Sequence, residues 1–212
     1  MKRLLLCLFL LVISTSASDL ITALKFSDKD LIKIKQNHAP SCALRIADFN
    51  KQYKKWKLLS KEDQLERINF YINGMLGQYD SYTYNQEEYW STPKEFLING
   101  LGDCEDYVGL KYFTLISLGF NKDSLFYAAV LDNYSGGYHM VLLYSQQNKP
   151  AVVLDNLSHL ILSLKVREDL KFLYAFNEEG VYKINKDEQI VPIMKKEPKF
   201  EDLLERIKKN NK

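Results

Sequence analysis

Apolar positions recur at helical spacing through the first third of the chain and at strand spacing beyond its middle. Cys42, Ile46, Phe49, Tyr53 and Trp56 follow one another at steps of three and four residues, with Lys51, Lys54 and Lys55 off the stripe. That pattern predicts an amphipathic helix with one buried face, on which Cys42 is a small core residue. Ser60 opens a second helix that buries Leu65, Ile68, Ile72 and Met75. A polar, Tyr-rich loop follows from Gly77 to Tyr89. Thr92-Pro93-Lys94-Glu95 then combines a capping hydroxyl, a proline at the first helical position and a glutamate able to close a capping box. The short helix it starts stops at Asn99-Gly100, and another runs from about Cys104 to near Gly119, where glycine can take the left-handed conformation.

After Gly119 the period changes to two. Residues 125–131, 138–144 and 151–154 are rich in Val, Leu, Tyr and Phe and are split by Asn-Tyr-Ser-Gly-Gly and Gln-Gln-Asn-Lys turns. Residues 172–176 and 181–184 form a further strand pair around Glu179-Gly180. Pro198 starts a last helix with Phe200, Leu203, Leu204 and Ile207 on one stripe, acids leading and lysines trailing, as the helix dipole favours. Helices first and an antiparallel sheet after them make an α+β layout.

With 46% hydrophobic and 26% charged residues among 212, the chain can build a core in a single domain. A net charge of +2 gives no footing for nucleic acid or an anionic membrane surface. The amino terminus is set apart. Lys2 and Arg3 precede ten apolar residues, Leu4 to Ile13, and Ser14 to Ser18 are all small. This is a secretory signal over residues 1–18, cleaved after Ala17 or Ser18, and too short for a transmembrane helix of ~20 residues. Residues 19–184 then form one folded domain, and 185–212 a charged tail carrying the amphipathic helix. Removing the signal leaves Cys42 and Cys104, which in an exported protein could also form one disulfide.

The chemistry centres on Gly100-Leu101-Gly102-Asp103-Cys104-Glu105-Asp106. A cysteine after a glycine-rich turn and at a helix start gains from unpaired N–H groups and the positive dipole end, which lower its pKa. Three neighbouring carboxylates push the other way, and a bound cation would account for them. His139 lies in the second strand and Asp155 at the end of the third; a turn centred on Gln147 sets them directly opposite each other, within hydrogen-bond reach. Cys104, His139 and Asp155 then read as nucleophile, base and orienter. His38 and His159 have no such neighbours in the pattern, and Trp90 reads as a core residue. Asp103 could instead merely cap the helix, with Glu105 facing solvent.

These same residues carry a resemblance. Tyr89-Trp90-Ser91-Thr92-Pro93, Gly102-Asp103-Cys104-Glu105-Asp106-Tyr107, Lys111-Tyr112-Phe113, Tyr138-His139-Met140-Val141-Leu142, Val153-Leu154-Asp155-Asn156-Leu157 and Tyr174-Ala175-Phe176-Asn177-Glu178-Glu179-Gly180 resemble, in order, the bacterial transglutaminase-like cysteine proteinases, the LapG family. The likeness covers roughly Arg67 to Tyr182. It implies a papain/transglutaminase-like core, a periplasmic endopeptidase with Cys104, His139 and Asp155 as its triad, and Ca²⁺ held by Asp103 and Glu105. Asp106 would be a further ligand or support one. The resemblance also implies a large surface adhesin as substrate, cut near its N-terminus at paired alanines to release biofilm cells. It further implies restraint by an inner-membrane cyclic di-GMP receptor of LapD type. Two alternatives remain open from residues alone: a transglutaminase-like acyl transferase, and a non-catalytic calcium-responsive binding protein.

Overall fold

A computed structural model describes residues 22–147, 149–184, 190–194 and 196–210. The expected export signal over residues 1–18 lies outside these, as do residues 185–189 of the expected tail. Three helices come first: α1 (Asp28–Asn37), α2 (Pro40–Trp56) and α3 (Lys61–Ile72). The stripe of α2 is buried at Cys42, Ile46, Phe49 and Trp56, as its spacing predicts. Ser60 caps α3 by accepting the Asp63 N–H. The Tyr-rich loop is less irregular than its composition suggests, because it contains β1 (Leu76–Gly77) and a single helical turn, α4 (Asp80–Thr83).

Helix α5 (Pro93–Asn99) forms the predicted capping box, the Thr92 hydroxyl accepting the Glu95 N–H while the Glu95 carboxylate accepts the Thr92 N–H. Such a cap is worth ~1 kcal/mol. Gly100 ends the helix at φ 70°. A Cβ there would also lie 2.2 Å from the Arg45 guanidinium carbon, so glycine is required twice over. Arg45 sits so close because its Nη1 donates to the Leu97 and Ile98 carbonyls at 3.0 and 2.8 Å, closing the helix end. β2 (Leu101–Gly102) follows and pairs in parallel with β1, Leu76 with Leu101 and Gly77 with Gly102.

Helix α6 (Cys104–Ser117) is buried on every side from Glu105 to Ile116, which is why it lacks a polar face. It packs against α3, α5 and the middle of the sheet. That sheet is antiparallel, in the order β6 (Leu162–Ser163), β5 (Val152–Leu154), β4 (Tyr138–Tyr144), β3 (Leu125–Asp132), β7 (Leu170–Asn177), β8 (Gly180–Ile184), β9 (Ile190–Met194). Strand alternation divides its residues between two cores. Tyr127, Leu142, Leu154 and Phe176 join the helices, while Ala128, Val130, Val141, Leu143 and Val153 form a second cluster on the other face. The last helix, α7 (Pro198–Asn210), buries Phe200, Leu203, Leu204 and Ile207 in the main core. At ~1.5–3 kcal/mol per side chain this stripe anchors the chain end firmly. Among the described residues no helix is long and apolar enough to cross a membrane.

Candidate active site

The β4–β5 hairpin carries His139 and Asp155, but not in the predicted register. Leu142 pairs with Leu154 and Leu143 with Val153, so the turn is centred one residue later than Gln147. Asp155 therefore falls opposite Val141, and His139 is its diagonal neighbour. The error is by an even number of positions, so both residues keep the same side of the ladder. Diagonal pairs are ~7–8 Å apart at the backbone, a gap that an imidazole and a carboxylate can close. They do so: His139 Nε2 lies 2.8 Å from Asp155 Oδ1. That contact occupies Nε2, and Nδ1 is the ring nitrogen that Asp155 does not engage.

Asp155 is 1% exposed and surrounded by donors. The Leu157 N–H binds Oδ1 at 2.9 Å, and Arg167 Nη2 binds Oδ2 at 2.7 Å. Burial by itself would raise this carboxyl, but the bonds from His139, Leu157 and Arg167 together hold it well below the usual carboxylate range. It is an ionised anchor for the ring. Arg167 is in turn fixed by Asp169, at 2.8 Å from Nε and 2.6 Å from Nη2. Neither residue stood out in the sequence, where an Arg in an irregular segment between short strands carries no pattern. Asn73, the C-terminal cap of α3, donates to the Asp155 carbonyl at 2.7 Å.

Cys104 opens α6 and, with His139, Met140, Trp90, Tyr138 and Tyr174, lines a cavity of about 500 Å³. Both cysteines of the described chain, Cys42 and Cys104, are free. The thiol donates to Glu105 Oε2 at 3.2 Å. Burial first, and then the charges of Glu105 and Asp103, push the thiol well above its ordinary value, so burial and the carboxylates together outweigh the helix dipole that should favour the thiolate. Trp90 is the core residue its sequence suggests, 7% exposed and stacked on Tyr127 and Phe176, and it also forms part of the cavity wall.

Beside the thiol, one carboxylate oxygen each from Asp80, Asp103 and Asp106 lies within 4.8 Å of the other two. The β1–β2 ladder builds this group, since Asp80 and Asp103 emerge just beyond the paired residues Gly77 and Gly102. Gly102 admits the third member: a Cβ there would meet Asp106 Oδ2 at 2.2 Å. Asp103 stands at the N-cap of α6 but makes no capping bond through its side chain, and Glu105 is buried rather than turned to solvent. Burial, then the Glu105 charge, raises the Asp103 carboxyl, and burial pushes Asp106 up to about 8. Asp80 Oδ1, Asp103 Oδ1 and Asp106 Oδ2 are all buried without a hydrogen-bond partner. Three converging oxygens with unused lone pairs fit a hard cation. Of the two carboxylates the resemblance implies for the metal, Asp103 belongs to this group, while Glu105 adjoins it and accepts the hydrogen bond of the thiol. Asp80 was missed because it lies in the Tyr-rich loop, 23 residues before Asp103, joined to it only by the two-residue ladder.

The family model of the bacterial transglutaminase-like cysteine proteinases (BTLCP) matches residues 32–178. The chain belongs to that family. It is therefore a LapG-like cysteine protease with a transglutaminase-like protease fold. Among solved structures it is similar to calcium-bound LapG of Legionella pneumophila, with a TM-score of 0.72 and 30% identity over 86% of this chain and 99% of that one. EGTA-treated LapG of the same organism matches with a TM-score of 0.71 and 29% identity, over 86% and 98% of the two chains. A comparison with curated proteins gives no match.

Proposed function

We propose that this protein is a calcium-dependent periplasmic endopeptidase with Cys104 as nucleophile, His139 as base and Asp155 as the residue that orients it. The observation carrying this reading is the Asp155–His139 contact. An ionised, buried carboxylate fixes Nε2 on the wall of the cavity that also holds the thiol. His139 takes the thiol proton through Nδ1, and sulfur attacks the scissile carbonyl carbon. The Cys104 N–H, in the first turn of α6 where amides lack intrahelical acceptors, is placed to bind the developing oxyanion. The imidazolium gives its proton to the leaving amine as the C–N bond breaks. His139 then deprotonates water, which attacks the thioester and releases Cys104.

Asp80, Asp103 and Asp106, with Glu105 adjoining, are the residues that would hold Ca²⁺. Their buried unpartnered oxygens support this, as does the calcium-bound state of the similar Legionella protein. Bound there, the ion supplies positive charge that offsets the carboxylates now disfavouring the thiolate. Calcium takes 6–8 oxygens, so carbonyls or water would complete the shell. By kinship, the substrate is the N-terminal region of a large surface adhesin, cut to control biofilm release, and a LapD-type inner-membrane receptor of cyclic di-GMP is the regulator. The test is incubation of the purified protein with the N-terminal region of such an adhesin from the same organism. One discrete cut is expected, absent with Cys104→Ala and suppressed by EGTA. Cleavage that survives Cys104→Ala would end the catalytic assignment, and indifference to EGTA would end the calcium one.

A further inference from the structure

Residues 89–91 are held from three directions. The Tyr89 N–H donates to Asp80 Oδ2, and the Ser91 N–H donates to Asp106 Oδ1 at 2.8 Å. In each carboxylate, one oxygen is thereby engaged while the other is the unpartnered oxygen described above. The backbone of this segment thus sets which way two of the three converging carboxylates point. Between those two amides, the Trp90 carbonyl accepts from Arg206 Nη2 at 2.5 Å. Arg206 also donates from Nη1 to the Tyr89 hydroxyl at 3.1 Å and lies 4.7 Å above the Tyr89 ring. Its own orientation is set by Asp202, one turn earlier on α7, at 2.9 Å from Nε, and by the Glu95 carboxylate, 3.5 Å from Nη1. The helix carrying it begins at Pro198, beyond the family match, which ends at residue 178.

We infer that Arg206 is a positioning residue for the cation site: by holding the Trp90 carbonyl it fixes the 89–91 backbone, and so makes calcium affinity depend on the docking of α7. This rests on the calcium reading above and adds to it a determinant outside the matched span. Groups that orient metal ligands from behind typically change metal affinity 10–100-fold when removed. The sign of the effect separates positioning from plain charge. Deleting a positive charge can by electrostatics only favour calcium binding, whereas loss of the clamp weakens it.

The experiment titrates CaCl₂ into the chelator-stripped full chain by isothermal calorimetry, for wild type, Arg206→Ala and Arg206→Lys. Arg206→Ala is expected to bind about tenfold more weakly. Arg206→Lys should also bind more weakly, since an ammonium keeps the charge but cannot hold carbonyl, hydroxyl and ring together. Hydrogen exchange at the Tyr89 and Ser91 amides should quicken in both variants, with or without calcium. If Arg206→Ala does not fold, Arg206→Lys carries the same comparison. Wild-type protein that binds no calcium would overturn both readings. Wild-type binding with equal or tighter binding in the variants, or unchanged exchange at the two amides, would overturn this one alone.

Discussion

Lys111 offers a stability test that needs no substrate. It lies in the middle of α6, is fully buried, and its Nζ has no hydrogen-bond partner. Burial pushes the ammonium down to about 7 against an ordinary value of 10.5, with the Asp155 charge pulling partly back. Between those two values the unfolded chain keeps the proton and the folded chain gives it up. The contribution of Lys111 to stability therefore rises with pH across this window and levels off above it. At pH 7 the amine disfavours the folded state by at most about 4 kcal/mol, and at pH 9.5 by about 1 kcal/mol. Lys111→Met keeps the length of the side chain and removes the titration. We expect a gain of about 2 kcal/mol or more at pH 7, with Tm higher by at least roughly 4 °C, given ~2–4 °C per kcal/mol at this chain length. Urea unfolding at pH 7 and pH 9.5 should show the gap between variant and wild type closing at the higher pH. A variant less stable than wild type at pH 7, or a gap between the two that stays constant over the window, would refute the reasoning.

Three further outcomes follow from the site. Asp155→Asn should lower kcat by about 10⁴ with little change in KM, by analogy with the aspartate of serine-protease triads; a loss under tenfold in steady-state kinetics would remove Asp155 from the set. Arg167→Ala leaves a buried carboxylate short of its charged partner and should destabilise the fold by about 3 kcal/mol in chemical denaturation; an unchanged midpoint would mean the pair is dispensable. Calcium at a hundred times its Kd should stabilise the protein by about 2.7 kcal/mol, or roughly 5–11 °C in Tm. EGTA should reverse that gain, Asp103→Asn and Asp106→Asn should abolish it, and iodoacetamide should alkylate Cys104 faster with calcium than without.

The elements governed by local chemistry were legible in the sequence. The Thr92–Glu95 box, the helix stop at Gly100, the left-handed Gly119, the buried stripe of α2 and the bounds of β4 all depend on neighbours a few residues away. Cys104 at a helix start and His139 with Asp155 on one hairpin were legible for the same reason. The register was off by an even shift, because hydrophobic alternation fixes the face of a strand but not its slide. Arg167, Asp80 and Arg206 could not be read, since each acts through space on a backbone or carboxylate far along the chain. The elevated thiol was visible only as a conflict. The sequence placed a helix dipole and three acids around Cys104, but their balance depends on burial, which only the packed structure supplies.

The parallel ladder of β1 and β2 is only two residue pairs long, a small hold for the stretch between Leu76 and Tyr89. Segments with so few backbone bonds belong to the low-stability end of a fold and open locally without global unfolding. Tyr79, Glu87 and Glu88 on this stretch form part of the cavity wall, and Asp80 ties it to the acidic group. A cation gripping Asp80 together with Asp103 and Asp106 would act as a clasp on this wall. The free calcium concentration would then set the fraction of molecules that possess a complete cleft, and a change in ion supply would be read out as a shape.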